Sequence, residues 1–356
     1  MVIGPRHAAA LALSLLAAAL AAGCQPEFED RASLVSGLHV LGVRSEPAEG
    51  APGTPMQYAA LVGDGSGTRT DVPIGWSYCS LPKPVSETND INIACFSTGT
   101  FLHPFDATGE SVSASIPFAP DNACNQFGPD LPNTQPPGRP ADPDSTGGYY
   151  QPIRLAIDRG DHYDFTVAET RLICNLPGAP GSVLVDYKDR YRTNENPAID
   201  NLIGASSGQE VVLQPEDMGD SGLVVSPGAT VTFTASWQDC PTTPACGNGF
   251  CEAKEDGSNC AEDCMTQKGC PGAETYVYYD LGTRTLVDRR EAMRLSWFAN
   301  GGSFADDRTG RTEQDPLTTA SDVWTAPSQT GTVTVWVVLR DSRGGLGWKS
   351  YRVGVQ

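Results

Sequence analysis

Residues 226–235 read Ser-Pro-Gly-Ala-Thr-Val-Thr-Phe-Thr-Ala, a turn that leads into a run of alternating polar and apolar residues. Pro227 and Gly228 form the turn, because Pro restricts φ and Gly tolerates positive φ. Val231 and Phe233 then point to the same face, since successive side chains of a strand alternate. The pattern predicts a strand with one buried face, which is typical of a β-sandwich.

The same pattern occurs in the first half of the chain, where residues 51–60 read Ala-Pro-Gly-Thr-Pro-Met-Gln-Tyr-Ala-Ala. Two more matches follow in the same order in both halves. A Trp-bearing segment at residues 74–77 matches residues 295–298, and a segment ending in Ala-Pro at residues 115–120 matches residues 322–327. Three matches in one order predict two copies of one fold. Because an inner-strand Trp fills the centre of an immunoglobulin-like sandwich, Trp76 and Trp297 predict one such sandwich in each half.

We therefore predict an all-β protein with immunoglobulin-like domains at residues 38–200 and 205–356. The boundary lies in the polar, Gly- and Ser-containing residues 194–208. Residues 121–148 are rich in Pro, Asp, Asn and Gly and predict a long solvated loop in the first domain. Predicted strands lie at residues 38–44, 56–62, 74–79, 111–118, 149–157, 163–174, 182–187, 332–339 and 348–355.

The last two predicted strands are joined by Asp-Ser-Arg-Gly-Gly at residues 341–345, where Gly344 and Gly345 supply the positive φ of a hairpin turn. This part of the chain resembles the final hairpin of PKD-type and related bacterial immunoglobulin-like domains. The repeated Pro-Gly strand and Ala-Pro segment resemble those of a group of lipoproteins from myxobacteria and their relatives, over most of residues 38–356. The resemblance implies an outer-membrane lipoprotein built of such domains.

The N-terminus predicts a secretion signal. Residues 8–22 contain only Ala, Leu and one Ser, a run too short to span a bilayer comfortably but typical of a signal-peptide core. The run ends Leu-Ala-Ala-Gly-Cys at residues 20–24, which resembles the lipobox of bacterial lipoproteins. That resemblance implies a signal peptide at 1–23, diacylation of Cys24 and a polar tether at 24–37. The alternative is an ordinary signal peptide with Cys24 as a free thiol.

Cysteine parity favours the lipid anchor. Of eleven cysteines, ten remain when Cys24 is acylated, and an even number can pair completely in an oxidising compartment. By resemblance to Gram-negative lipoproteins, Gln25 after the acylated cysteine is compatible with transport to the outer membrane. The net charge of −19 disfavours nucleic acid as a partner, because the phosphate backbone would be repelled. The predicted partners are the membrane, through the lipid, and an envelope protein or polysaccharide.

A cysteine-rich insert is predicted at residues 239–270, between a strand ending at Trp237 and one starting at Glu274. Cys240 and Cys270 would form its neck if they pair. The four cysteines between them have the spacing C-x4-C-x8-C-x3-C, at Cys246, Cys251, Cys260 and Cys264. This segment resembles a short cysteine-rich repeat of secreted bacterial and archaeal proteins.

Zinc binding and disulfide formation are alternative roles for these cysteines. Tetrahedral zinc sites usually use closer pairs than this spacing provides, and an exported protein meets oxidising conditions, so we favour disulfides. In this fold Cys79 with Cys95, and Cys124 with Cys174, are further expected pairs.

The insert is also acidic, and compact oxygen-rich loops are what calcium requires. The candidate calcium ligands are Asn248, Glu252, Glu255, Asn259 and Asp263. A solvated acidic face is the alternative, and it needs no ion. Calcium is the one cofactor that the sequence suggests.

The sequence contains no convincing catalytic motif. Residues 219–222 read Gly-Asp-Ser-Gly and residues 204–208 fit G-x-S-x-G, but both lack the flanking elements of a nucleophile site and read as turns. We expect a structural, surface-display, adhesion or binding role without catalysis. One alternative is carbohydrate or peptidoglycan binding, for which the aromatic candidates are Tyr149, Tyr150, Tyr276, Tyr278 and Tyr279. The other alternative is an enzyme of unrecognised type.

Overall fold

The computed structural model describes residues 32–81, 91–97, 99–100, 102–104, 113–116, 123–126, 146–176, 179–241, 245–252, 255, 257–264 and 269–356. Strands dominate these residues, together with one helix of ten residues. No helix within the described ranges is long and apolar enough to cross a membrane.

The strands are β1 (His39–Glu46), β2 (Glu49–Gly50), β3 (Met56–Asp64), β4 (Gly67–Arg69), β5 (Ile74–Cys79), β6 (Leu102–Pro104), β7 (Ser113–Ile116), β8 (Gly148–Asp158), β9 (Tyr163–Ile173), β10 (Ile199–Ser206), β11 (Gln209–Val212), β12 (Val224–Val225), β13 (Thr230–Trp237), β14 (Thr275–Asp280), β15 (Thr285–Arg290), β16 (Met293–Ala299), β17 (Ser303–Phe304), β18 (Arg308–Arg311), β19 (Thr319–Thr325), β20 (Gly331–Arg340) and β21 (Leu346–Val355). The helices are α1 (Ala123–Gln126) and α2 (Gly181–Arg190), and short 3-10 turns lie at Ile93–Phe96 and Glu216–Met218.

The first sandwich packs a sheet of β1, β3, β4 and β7 against a sheet with the order β2-β9-β8-β5-β6. Its core follows the alternation of β3, which buries Met56, Tyr58, Ala60 and Val62 on one face. Trp76 on β5 belongs to the same core and is 2% exposed. The predicted inner-strand Trp therefore fills the space between the two sheets.

The second sandwich repeats this topology. Its sheets have the orders β11-β10-β13-β19-β17 and β12-β21-β20-β16-β18. Strands β10, β13 and β19 correspond to β1, β3 and β7, and the five strands of the other sheet correspond one to one. In each sandwich a two-residue strand, β2 or β12, pairs in parallel with the last strand. The prediction of two immunoglobulin-like sandwiches is confirmed, and the sequence repeat is a repeat of strand order.

Residues 182–187, which were expected to form a strand, lie instead in the helix α2. Val183, Leu184 and Tyr187 pack against the hairpin of β14 and β15, whereas Val185 is exposed. The β-branched composition of these residues suggested a strand. They form a helix because the helical spacing places their apolar side chains against the hairpin.

The second sandwich begins earlier than the predicted residue 205. Strand β10 starts at Ile199 and pairs with β13, so the connection between the sandwiches is residues 191–198. Ile199 and Leu202 are buried while Asp200 and Asn201 are exposed. This strand was missed because its exposed polar residues resemble those of a linker.

The insertion in the second sandwich is larger than residues 239–270. Strand β14 does not rejoin either sheet but pairs only with β15, among the described strands, and the sandwich resumes at β16. Val277 and Tyr279 pack against Tyr187 of helix α2. The insertion therefore comprises the cysteine-rich module and a hairpin that contacts the first sandwich.

An apolar interface joins the two sandwiches. Along β20, Val335, Val337 and Leu339 face the core of the second sandwich, while Trp336 and Val338 face the first. Leu41 and Leu61 of the first sandwich belong to the same buried cluster as Trp336 and Val338. Trp336 Nε1 also donates a 2.9 Å hydrogen bond to Thr68 Oγ1. Burial of both faces of β20 explains its unbroken apolar run.

The end of the predicted tether at residues 24–37 is part of this packed structure. Val35 is 1% exposed, and its backbone N–H donates a 2.8 Å hydrogen bond to the Ala299 carbonyl. The Ala299 N–H in turn donates to the Ser33 carbonyl at 2.9 Å. Residues 33–35 are therefore anchored to the second sandwich rather than free.

Candidate functional site

A buried charge network lies where the first sandwich meets the connection between the domains. Glu49 on β2 and Arg171 on β9 are opposite each other in the parallel pair, and Arg171 Nε donates to Glu49 Oε2 at 2.6 Å. The other carboxylate oxygen accepts from the Tyr191 hydroxyl at 2.6 Å and from the Asn194 backbone N–H at 2.7 Å. These contacts fix the start of the connection onto the first sandwich, because a buried carboxylate requires its partners.

Arg343 continues this network into the second sandwich. It lies in the β20–β21 turn and is 1% exposed. Its Nε donates to Glu291 Oε1 at 2.9 Å, and the guanidinium also forms an ion pair with Glu274. Its other nitrogens donate to the Arg192 carbonyl at 2.8 Å and to Asn194 Oδ1 at 3.1 Å. One side chain thus holds together the turn, the base of the hairpin and the connection.

The network contains more carboxyl groups than guanidinium groups. Asp341 accepts hydrogen bonds from Asn194 Nδ2 at 3.0 Å and from the backbone N–H of Gly345 at 2.8 Å. Burial nevertheless raises the pKa of Asp341 to about 6, against the effect of these bonds. Burial also raises the pKa of Glu291 well above its ordinary value, and the nearby Asp341 adds to the shift. Asp341 and Glu291 therefore take up protons at a higher pH than ordinary carboxyl groups do.

A groove of about 760 Å³ opens beside this network. Its lining includes Tyr150 from the first sandwich, Tyr276 and Tyr278 from the hairpin, and Arg294 from β16. Residues 309–314, on β18 and the segment after it, complete one wall. The groove therefore exists only because the two sandwiches and the hairpin are held together, which is where ligand sites often occur.

The alternation of β14 determines which tyrosines reach the groove. Tyr276 and Tyr278 line the groove, while Val277 and Tyr279 pack against helix α2. Tyr149, the other aromatic candidate from the sequence, is buried in the core of the first sandwich. Two of the five candidate tyrosines are therefore core residues, and the remaining three are brought together at the groove.

Arg289 has a fixed position at the groove wall. Its Nε donates to Glu313 Oε2 at 2.5 Å and its Nη2 donates to Glu313 Oε1 at 3.3 Å. Its guanidinium carbon lies 4.9 Å from the ring centroid of Tyr278. The hydrogen bond from Arg289 lowers the pKa of Glu313, which keeps that carboxylate ionised. Gln314 Nε2 extends the chain by donating to Glu313 Oε1 at 2.9 Å.

Arg294 differs from the other arginines of the groove. Arg289 is paired with Glu313, Arg311 with Asp315 at 3.0 Å, and Arg343 is paired within the buried network. Arg294 is exposed, and its guanidinium forms no ion pair or hydrogen bond with any described residue, although its backbone is paired with β18 and β20. Its positive charge is therefore available to a ligand.

The ten cysteines after Cys24 lie in five disulfides. The pairs suggested by the sequence, Cys79–Cys95, Cys124–Cys174 and Cys240–Cys270, are present, and the module adds Cys246–Cys260 and Cys251–Cys264. Disulfide sulfurs are not thiolates, so this arrangement leaves no zinc ligands among these cysteines. Cys24 and the signal segment lie outside the described residues.

The candidate calcium ligands are engaged within the module. The Asp263 carboxylate accepts backbone N–H groups from Gly247 at 2.6 Å, Asn248 at 3.2 Å and Gly249 at 3.0 Å. The Asn248 side-chain amide donates to Glu252 Oε1 at 2.5 Å. These bonds organise the loop between the cysteines, and calcium binding stays a prediction.

The two remaining candidate calcium ligands, Glu255 and Asn259, differ in burial. Glu255 is buried at 5% exposure and accepts the Glu252 backbone N–H at 3.2 Å, whereas Asn259 is exposed in a turn. Buried Arg192 donates to the backbone carbonyls of Glu252 and Glu255. The module is therefore bonded to the connection between the sandwiches, and its neck is not its sole attachment.

The charged network was missed by sequence reasoning. Glu49 and Arg171 are single charged residues in or beside strands, which usually indicates an exposed face. Arg343 lies in a segment correctly expected to be a turn, but turn residues are usually solvated. A strand pattern interrupted by opposite charges was the available signal, and it was too weak to identify partners.

No family model matches the chain, and no curated protein matches it. Solved structures to which it is similar include the fibronectin(III)-like modules of Clostridium thermocellum CbhA, at 8% identity over 90% of this chain and 94% of that one, with a TM-score of 0.20. The D00-D0 domain of Intimin is similar at 7% identity, over 90% and 98%, with a TM-score of 0.20. The Yersinia pseudotuberculosis adhesin InvE is similar at 8% identity, over 88% and 58%, with a TM-score of 0.20. Similarities this low carry no argument about function, and the fold assignment stands on the strand pairing.

Proposed function

We propose that this protein is a lipid-anchored protein of the outer membrane with a binding or adhesion role and no catalytic activity. The observation that carries the proposal is the groove in which Tyr150, Tyr278 and Arg294, from three separate parts of the fold, line one space. Binding sites need side chains held in place before the ligand arrives, and the buried network around Arg343 supplies that support.

A binding role fits the groove better than catalysis. Its carboxylate, Glu313, is held by Arg289, and its Ser342 hydroxyl accepts the Ala292 backbone N–H at 2.9 Å. Nucleophilic catalysis needs a base within hydrogen-bond reach of a nucleophile. These hydrogen bonds place neither Glu313 nor Ser342 in such a pair.

The anchor rests on the sequence alone. Two or three acyl chains on Cys24 make stable membrane attachment, whereas one chain is marginal. We expect wild-type chain to be found in the membrane fraction of a Gram-negative host and the Cys24→Ser variant in the soluble fraction. Retention of Cys24→Ser in the membrane at wild-type level would contradict the lipid anchor.

The binding role has its own test. The chain carrying Cys24→Ser, with or without Arg294→Glu, is incubated with washed envelope fragments and sedimented. We expect retention by the envelope to fall with Arg294→Glu but not with Arg284→Glu, a control at an exposed arginine outside the groove. Equal retention of all three proteins would remove the groove from the proposed function.

The sequence also suggested carbohydrate binding, and the placement of Tyr150, Tyr276 and Tyr278 favours it as the specific form of this role. Aromatic rings with a polar tip combine apolar faces and hydrogen-bonding groups in one surface.

A further inference from the structure

We infer that the groove binds an acidic saccharide, in which a sugar carboxylate pairs with Arg294 and ring hydroxyls contact the wall formed by Arg289, Glu313 and Gln314. This inference rests on the proposed binding role and names the ligand class. Neither the charge of the whole chain nor the fold class would suggest it.

The charge of the groove is opposite to that of the protein. The chain has a net charge of −19, so an anionic ligand is repelled by most of its surface. The groove lining nevertheless contains Arg289, Arg294, Arg311 and Arg343, with Glu313 as its acidic residue. Three of these arginines are neutralised by carboxylates, which leaves the charge of Arg294. A ligand carboxylate would complete the pairing, because guanidinium and carboxylate match as planar forks.

A second observation concerns planar hydrogen-bonding groups. Gln314, Glu313 and Arg289 form a continuous chain of planar groups, joined at 2.9 Å and 2.5 Å. Their orientation is therefore set before binding. Planar fork groups can bond two neighbouring hydroxyls at once, and adjacent ring hydroxyls are the defining feature of sugars.

The tyrosines supply the third requirement, an apolar surface beside the polar groups. Tyr276 is largely buried in the groove wall, and its hydroxyl is a neutral hydrogen-bonding group at physiological pH, as in any ordinary tyrosine. Tyr278 and Tyr150 are partly exposed on the same groove. Sugar rings alternate apolar C–H faces with hydroxyl edges, which matches this lining. An acidic peptide shares the carboxylate but lacks the ring hydroxyls, so we favour the saccharide.

The test uses residues 24–356 carrying Cys24→Ser, titrated calorimetrically with oligogalacturonate and oligoalginate. The fully methyl-esterified oligogalacturonate is the matched neutral ligand, and oligoglutamate is the acidic peptide. Arg294→Gln is the groove variant and Arg284→Gln the control, since Arg284 is exposed outside the groove. Thermal melting of each variant verifies that it is folded.

We expect at least one acidic saccharide to bind, and methyl esterification to weaken binding roughly 10-fold or more, as loss of one charge-assisted pair requires. Arg294→Gln should weaken binding of the acid by a similar factor and leave binding of the ester unchanged, while Arg284→Gln changes neither. Equal affinity for acid and ester, or no effect of Arg294→Gln, would overturn the inference.

Two other results also overturn it and separate it from the proposed function. Binding of oligoglutamate alone would identify an acidic peptide as the ligand. Binding of none of the probes, with Arg294-dependent retention on envelope fragments intact, would show that the ligand class is wrong while the binding role stands. Loss of both would reject both proposals.

Discussion

Arg343 Nε donates a 2.9 Å hydrogen bond to Glu291 Oε1, and the two side chains are 1% and 0% exposed. Arg343 belongs to the last turn of the second sandwich and Glu291 to the end of the inserted hairpin. The same guanidinium reaches the Arg192 carbonyl in the connection between the sandwiches. This pair therefore fixes the inserted hairpin and the connection between the sandwiches to the second sandwich.

Replacement of Arg343 by Met should destabilise the protein strongly. The change keeps most of the side-chain volume but leaves Glu274 and Glu291 without their shared cation. Breaking a buried pair by removing one partner costs about 3–5 kcal/mol, because a buried charge is left uncompensated. Urea unfolding measures the loss, and Arg284→Met at an exposed site should change stability by less than about 0.5 kcal/mol. Similar values for both variants would argue against the network as a stabilising element.

Stability should depend on pH through Asp341. Burial raises the folded-state pKa of this carboxyl from 3.8 to about 6, so the folded protein binds more protons than the unfolded chain between these values. The stabilisation that this carboxyl gives to the folded state is fully present below the pKa of the unfolded chain. It is lost as pH rises through the pKa of the folded state. The lost stability is about 3 kcal/mol at most, from the size of the shift. Burial raises the pKa of Glu291 too, and its contribution has the same sign.

Asp341→Asn isolates this term, because Asn does not titrate. The variant also loses an acceptor for Asn194 Nδ2, which adds an offset that does not vary with pH. Urea unfolding of both proteins from acidic to neutral pH should show the wild type losing stability relative to the variant as pH rises. Parallel curves across this range would mean that Asp341 does not titrate differently in the folded state.

The interface between the sandwiches should be sensitive to one methyl group at Gly63. A Cβ at this position would lie 2.8 Å from Trp336 Cζ2, so the indole must move within a packed cluster. Overpacking of this kind costs about 1–3 kcal/mol. Gly181→Ala at the start of helix α2 is the control, because a Cβ there meets nothing within 4 Å. Differential scanning calorimetry should show a lower Tm for Gly63→Ala and no decrease for Gly181→Ala.

Asp263→Asn should loosen the cysteine-rich module. One of the two oxygens that accept the N–H groups of Gly247, Asn248 and Gly249 becomes an NH₂ group, which cannot accept them. An unsatisfied donor costs about 1–3 kcal/mol when it is shielded from water and less when it is exposed, as here. Limited proteolysis should cut the module faster in this variant than in Glu262→Gln. Unchanged cleavage would show that the loop does not depend on Asp263.

Calcium binding by this module can be decided with the same variant. Calorimetric titration of the wild-type chain with calcium should release or absorb heat, and Asp263→Asn should reduce it, if the acidic residues bind the ion. Absence of heat at millimolar calcium in the wild type would leave hydrogen bonding and solvation as the roles of these carboxylates.

Local pattern was sufficient for the class of fold. Three features of the sequence indicate a turn, a buried face or a core position. They are Pro227-Gly228 with the alternating strand after it, the matching residues 51–60, and the Trp residues at 76 and 297. These features depend on a few neighbouring residues, since strand alternation and turn geometry are local properties. The same holds for cysteine pairs that are close in sequence, such as Cys79 and Cys95.

Tertiary structure alone decided the helix, the network and the groove. Residues 182–187 have strand composition but form α2 because a hairpin from the second half of the chain covers one side of them. Arg343 is buried because Glu274, Glu291 and Asn194 converge on it, and no local pattern encodes partners so distant in sequence. Burial of a charge depends on its partners, whereas burial of an apolar face depends only on its own spacing, and that difference separates what could be predicted here from what could not.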